Sequence, residues 1–143
     1  MADLTLDDAR TIIGAALAKG RELKLKPLTV AVLDSGGALK ALERSDGSSF
    51  MRPEIAIGKA HGAVALGMGS RAIFKRVQEQ PYFIQAMNAL AKGSLVPVPG
   101  GVLIRDKAGA ILGAVGITGD SSDNDEACAV AGIEAARLSA DTG

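Results

Sequence analysis

The chain has 143 residues, 48% of them hydrophobic, with a mean hydropathy of +0.23. That is the length of one domain, 1–143, with enough apolar mass for a sizeable core. Sixteen basic residues balance sixteen acidic ones and aromatics make up 3%, so no net field draws the chain to nucleic acid or anionic membrane and no stacking surface serves single strands.

Cys128 is the only cysteine, which excludes an intrachain disulfide and a cysteine-based zinc site; it reads as a buried, inert thiol. No apolar run approaches the roughly 20 residues of a membrane span. The N-terminal MADLTLDDAR is acidic and lacks the basic start and apolar run of a signal peptide. A soluble, cytoplasmic protein is expected.

Ala9, Ile12, Ile13, Ala16 and Leu17 recur at helical spacing, predicting a first helix from Thr5 to about Leu23, capped by Thr5 or Asp7. Leu28 to Asp34 and Ala38 to Arg44 flank Ser35-Gly36-Gly37 and read as a β-hairpin. A polar loop, 45–53, leads into a helix of unusually small residues from Glu54 to about Met68. Gly58 and Gly62 each cost such a helix about 1 kcal/mol relative to alanine, so another backbone is expected to pack against them. Two short helices follow, Arg71 to Glu79 and Tyr82 to Ala91.

Strands are then expected at Leu95 to Val98, Val102 to Asp106 and Ile111 to Thr118. Asp123 and Glu126 have capping-box spacing and predict a last helix from Asn124 to Ser139. Hairpins separated by helices imply an antiparallel sheet in an α+β domain.

The glycine-rich PVPGGV and GAVGITG segments lack the phosphate-loop pattern. Asp120, Asp123, Asp125 and Glu126 lack calcium-loop spacing and read as helix caps with favourable dipole placement. His61, the sole histidine, is the group best suited to acid–base chemistry or to ligating a haem iron; a multi-histidine metal site is excluded. Arg44, Asp46, Arg52 and Glu54 cluster around the polar loop. An arginine there can grip a carboxylate, and Glu54 lies two helical turns before His61. Lys59 reads as a surface or interface lysine.

Four pieces carry a family resemblance: VAVLDSGGALKALERSDGS at 30–48, IAIGKAHGAVALG at 55–67, VPVPGGVLIRDKAGAILGAVGITG at 96–119 and NDEACAVAG at 124–132. Together they make the chain similar to the GlcG/HbpS family of haem-degrading-domain proteins over nearly its whole length. The resemblance implies a profilin-like fold, a five-stranded antiparallel sheet flanked by helices on both faces. It also implies a small homo-oligomeric protein that binds a small molecule, with haem as one candidate. The family's E-K-A-x-T-A helix reads G-K-A-H-G-A here, so Gly62 replaces a hydroxyl and His61 stands at the variable place. Its Q-D start of the last helix is Asn124-Asp125.

Three readings follow. In the first the protein binds a small molecule or haem, with His61 as axial ligand and no other metal site. In the second it is a cofactor-independent enzyme on a small carboxylated metabolite. There His61 shuttles a proton, Glu54 assists it, Arg44 and Arg52 hold the anion, and the Gly100-Gly101 amides stabilise an oxyanion. In the third the small-residue helix is an oligomer interface.

Overall fold

The structure, a computed structural model, describes residues 3–143. Helix α1 (Leu6–Glu22) begins where the Thr5 hydroxyl accepts the Asp8 amide, and it buries Ala9, Ile12, Ile13 and Ala16 as the periodicity predicts. Strands β1 (Thr29–Asp34) and β2 (Leu39–Arg44) form the first hairpin. The Asp34 carboxylate accepts the amides of Gly36 and Ala38, which fixes the hairpin tip and holds Gly37 in the left-handed region at φ +83°.

Helix α2 (Arg52–Leu66) is followed by α3 (Ser70–Glu79) and α4 (Pro81–Leu90). Strands β3 (Gly101–Arg105) and β4 (Ile111–Thr118) form the second hairpin, then come α5 (Ser122–Ala135) and β5 (Ser139–Asp141). The five strands lie in the order β2-β1-β4-β3-β5, and every pairing is antiparallel. The fold is therefore the expected α+β sheet with helices on both faces.

Strand alternation divides the core. Val30, Val32, Val102, Ile104, Val115 and Ile117 face α1 and α5 in one large apolar cluster. The opposite face is built of smaller residues, and α2 lies down on it. A Cβ on Gly116 would come within 1.8 Å of the Ala56 carbonyl, and one on Gly101 within 2.3 Å of the Lys59 carbonyl. The helix and sheet backbones touch because both sequences are small at the crossing. On the first face, Gly132 allows α5 the same closeness to the Ile12 carbonyl of α1.

Three expectations need correction. Leu95 to Val98 is not a strand. Pro97 and Pro99 remove ladder donors, and the segment instead crosses α2, with the Val96 amide on the Gly58 carbonyl at 3.2 Å. The backbone expected at Gly58 and Gly62 is thus this chain's own, with Val96 over the first and Leu95 over the second.

The last helix ends at Ala135, because Arg137 takes a positive φ of +61° and turns the chain into β5. No glycine or proline announces that stop. Asp123 and Glu126 do not form a capping box. Ser121 caps α5 by accepting the Asn124 amide, while both acids bind Arg71 of α3.

Candidate functional site

His61 occupies the middle of α2, partly exposed, between the first hairpin and the Leu95 segment. Its Nδ1 lies 2.8 Å from the Ser94 carbonyl oxygen. A carbonyl only accepts, so Nδ1 carries the hydrogen in the neutral ring and the lone pair sits on Nε2. The ring edge rests against Gly37. A Cβ there would be 3.4 Å from Cδ2 and 3.8 Å from Nε2, so the glycine leaves the space beside the free nitrogen open.

On its other side the imidazole borders a groove of about 270 Å³, walled by Ala65, Leu66, Met87, Leu90, Ala91 and Leu95. These come from α2, α4 and the crossing segment, held together by a small core of Ile73, Ile84 and Leu95. The site is therefore a lone imidazole bordering an apolar groove. Helix α4 supplies much of the wall, and nothing in its residue pattern pointed there.

Beneath α2 lies a polar group that the sequence reading misplaced. Lys59 is no surface lysine. Its side chain is 3% exposed, and Nζ donates to the Asp125 carboxylate at 3.2 Å and to the Ile117 carbonyl at 2.8 Å. Asp125, 1% exposed, also accepts the Asp120 amide at 3.1 Å. Burial pushes the Lys59 pKa down and that of Asp125 up, while their mutual attraction opposes both shifts; Arg52 further lowers Lys59. Gly100, at φ +121°, leaves room for the Lys59 ammonium, since a Cβ there would be 2.8 Å from Nζ. The one available signal was the small-residue character of α2, which brings all of its inner face, Lys59 included, against the sheet.

The other expected site residues do not gather at His61. Arg52 is nine residues away on α2, about 14 Å along the axis and on the opposite side. It donates to the Thr118 hydroxyl at 2.7 Å. Arg44 donates to the Ser48 carbonyl at 2.7 Å, in the loop before α2. Glu54 shares His61's face but lies about 10 Å along the axis, two turns distant. Gly100 and Gly101 are buried under α2, and the Gly101 amide is already taken by the Ser70 hydroxyl at 2.7 Å. Cys128 is buried as expected, and burial pushes its thiol up to about 11, which keeps it protonated and unreactive.

The model of the family "Haem degrading protein HbpS-like" matches residues 4–134. The chain belongs to the HbpS-like family. Its fold is similar to that of a structure titled "Crystal Structure of PduOC:Heme Complex", with a TM-score of 0.85 and 25% identity over 96% of this chain and 97% of that one. It is also similar to HbpS from Streptomyces reticuli, solved as a double mutant, with a TM-score of 0.77 and 26% identity over 94% and 87% of the two chains. A Citrobacter freundii protein, the "Uncharacterized 15.0 kDa protein in dhaT-dhaS intergenic region", is 28% identical over 136 residues, 94% of this chain and 92% of that one.

The family description raises haem as a ligand, and if haem bound at this site His61 would be the residue to hold its iron. The free Nε2 suits iron, and the apolar walls suit a porphyrin edge. At about 270 Å³ the groove falls just below the roughly 300–1,000 Å³ of enclosing ligand sites. Its size would admit a small ligand, or one edge of a larger planar one. Among the described residues no helix is long and apolar enough to cross a membrane, and no cluster of three metal-ligating side chains occurs.

Proposed function

We propose that this HbpS-like protein binds a small molecule at His61, with haem as the preferred ligand. The observation that carries this reading is the fixed imidazole: Nδ1–H bound to the Ser94 carbonyl, Nε2 left open at Gly37, and the ring bordering an apolar groove. Haem, when bound, supplies the iron chemistry. The chain's own part is to hold the imidazole in one tautomer, to offer apolar walls at Leu66, Met87 and Leu95 beside the ring, and to leave space at Gly37. The family's description and the haem complex of a structural relative support the choice of ligand.

The acid–base reading loses its geometric basis. It needs Arg52, Glu54 and His61 around one substrate, and α2 spreads them over nine residues and two faces. The proposal includes a homo-oligomer, because Phe50 is 86% and Leu90 76% exposed and Leu90 forms the groove rim. A second copy over that rim would enlarge the groove.

Titration of the protein with haem is expected to give a shifted Soret band. His61→Ala should weaken haem binding roughly 10–100-fold or more, as loss of support to a metal does. An unchanged Soret position and affinity in His61→Ala would overturn the assignment. Light scattering is expected to give a mass above one chain; a monomer that still binds haem removes the oligomer from the reading.

A further inference from the structure

At the far end of α2 from the groove wall lies a second pocket, of about 240 Å³, bordered by Lys26, Gly47, Ser48, Ser49, Arg52 and Gly119. Three elements meet there: the segment after α1, the loop entering α2, and the end of β4. Arg52 is half-buried, and among the described residues the only polar partner of its guanidinium is the neutral hydroxyl of Thr118. Neither Arg52 nor Lys26 forms an ion pair with a carboxylate among the described residues. A half-buried guanidinium whose side-chain partner is a neutral hydroxyl, in a pocket that Lys26 also borders, has capacity left for an anion.

The walls also offer unspent hydrogen-bonding capacity. The Ser48 hydroxyl is buried and has no partner among the described residues. The backbone N–H groups of Gly47, Ser49 and Gly119 find no acceptor among the described residues. Gly119 must be glycine, since at φ +142° a Cβ would lie 2.2 Å from the Pro27 carbonyl, so backbone itself forms that wall.

Asp120 partly offsets the charge of Lys26, and neither it nor Asp46 forms an ion pair with Arg52. Asp120 is occupied at both oxygens, accepting from the amides of Lys26 and Ser121 and from the Asn124 side chain. The Asn124 and backbone hydrogen bonds hold it down at about 2, so it stays charged and committed. Asp46 borders an adjoining groove over Leu25 and Leu28 instead. Lys59, the next cation inward, already has Asp125.

We infer that this pocket binds the oxyanion headgroup of a small metabolite, phosphate or carboxylate, between Arg52 and Lys26. It is a separate site from the His61 groove and stands or falls independently of the haem reading. The planar guanidinium can present two N–H donors to such a group, while Ser48 and the loop amides take a remaining oxygen.

The test is amide NMR of the full chain titrated with inorganic phosphate, and separately with acetate, with sodium chloride holding ionic strength constant. Saturable shifts at Gly47, Ser48, Ser49 and Gly119 are expected, and the anion that binds more tightly identifies the headgroup. Arg52→Gln should weaken binding about tenfold or more, the value of one charge-assisted hydrogen bond. Lys26→Ala alters an exposed side chain, so it reports on the charge even if Arg52→Gln fails to fold. His61→Ala should bind the anion unchanged.

The proposal is overturned if neither anion shifts these amides, or if chloride alone does so equally. Unchanged binding in Lys26→Ala, or in a folded Arg52→Gln, overturns it too. Loss of binding in His61→Ala would overturn the separateness of the two sites.

Discussion

Asp125→Ala is expected to lower stability by about 3–5 kcal/mol, the usual cost of leaving a buried charge without its partner. The variant strands the Lys59 ammonium under α2 with only the Ile117 carbonyl as acceptor. It also removes the acceptor of the Asp120 amide at the start of α5. Urea unfolding at neutral pH measures the loss. A change below about 1 kcal/mol, the range of exposed pairs, would mean that the pair is solvated rather than buried.

The pH dependence has a definite sign. Burial lowers the Lys59 pKa from 10.5, and Asp125 is the main influence raising it again. Without Asp125 the folded-state pKa falls further, while the unfolded chain keeps the ordinary value. Between those two values the unfolded state binds more protons, so the stability of Asp125→Ala should rise with pH up to about 10.5 relative to the parent. Lys59→Met in the Asp125→Ala background should recover part of the loss at neutral pH, because it removes the stranded charge.

Gly116→Ala is expected to cost about 3 kcal/mol, at the upper end of typical overpacking, although only one methyl is added. That methyl would stand 1.8 Å from the Ala56 carbonyl oxygen, 2.9 Å from its carbon and 3.0 Å from the Ala60 amide. All three are backbone atoms of α2, so no side chain can swing away and the helix must lift from the sheet. Lifting α2 would loosen Lys59 and His61 together.

Gly14→Ala is the matched control. Gly14 lies on the exposed side of α1, a Cβ there meets nothing within 4 Å, and its replacement should stabilise by about 0.5–1 kcal/mol. Thermal unfolding of both variants checks the pair. Equal melting temperatures would mean that α2 stands further from β4 than the close packing implies.

Much of the architecture follows from local chemistry. The apolar period of Ala9, Ile12, Ile13 and Ala16, together with the Thr5 cap, marks α1 to within a residue. The Ser35-Gly36-Gly37 turn marks the first hairpin, and the Lys107-Ala108-Gly109 turn the second. The small residues of the second helix announced a close backbone neighbour. The motifs at 30–48, 55–67, 96–119 and 124–132 carried the family, whose model then matched residues 4–134.

Misreadings came where a local rule met a stronger distant partner. Val96 and Val98 have strand-like residues, yet two prolines and the grooves at Gly58 and Gly62 draw that segment onto α2. Asp123 and Glu126 have cap spacing, yet Arg71 offers each an ion pair. The end of α5 at a left-handed Arg137 has no compositional signature at all.

The sequence by itself determined most of the elements and the class of sheet, though not the coil at 95–98 or strand β5, because periodicity, caps and turns act over a few residues. It also singled out His61 as the lone imidazole. Only the tertiary structure decided what each polar group meets. Lys59 finds Asp125 across 66 positions, Arg52 finds Thr118 across 66, and His61 finds the Ser94 carbonyl across 33. Such pairings leave no period in the chain. They arise where α2 settles on a glycine-lined sheet, and that contact buries one cation with a carboxylate, half-buries another against a neutral hydroxyl, and leaves an imidazole at the border of an apolar groove.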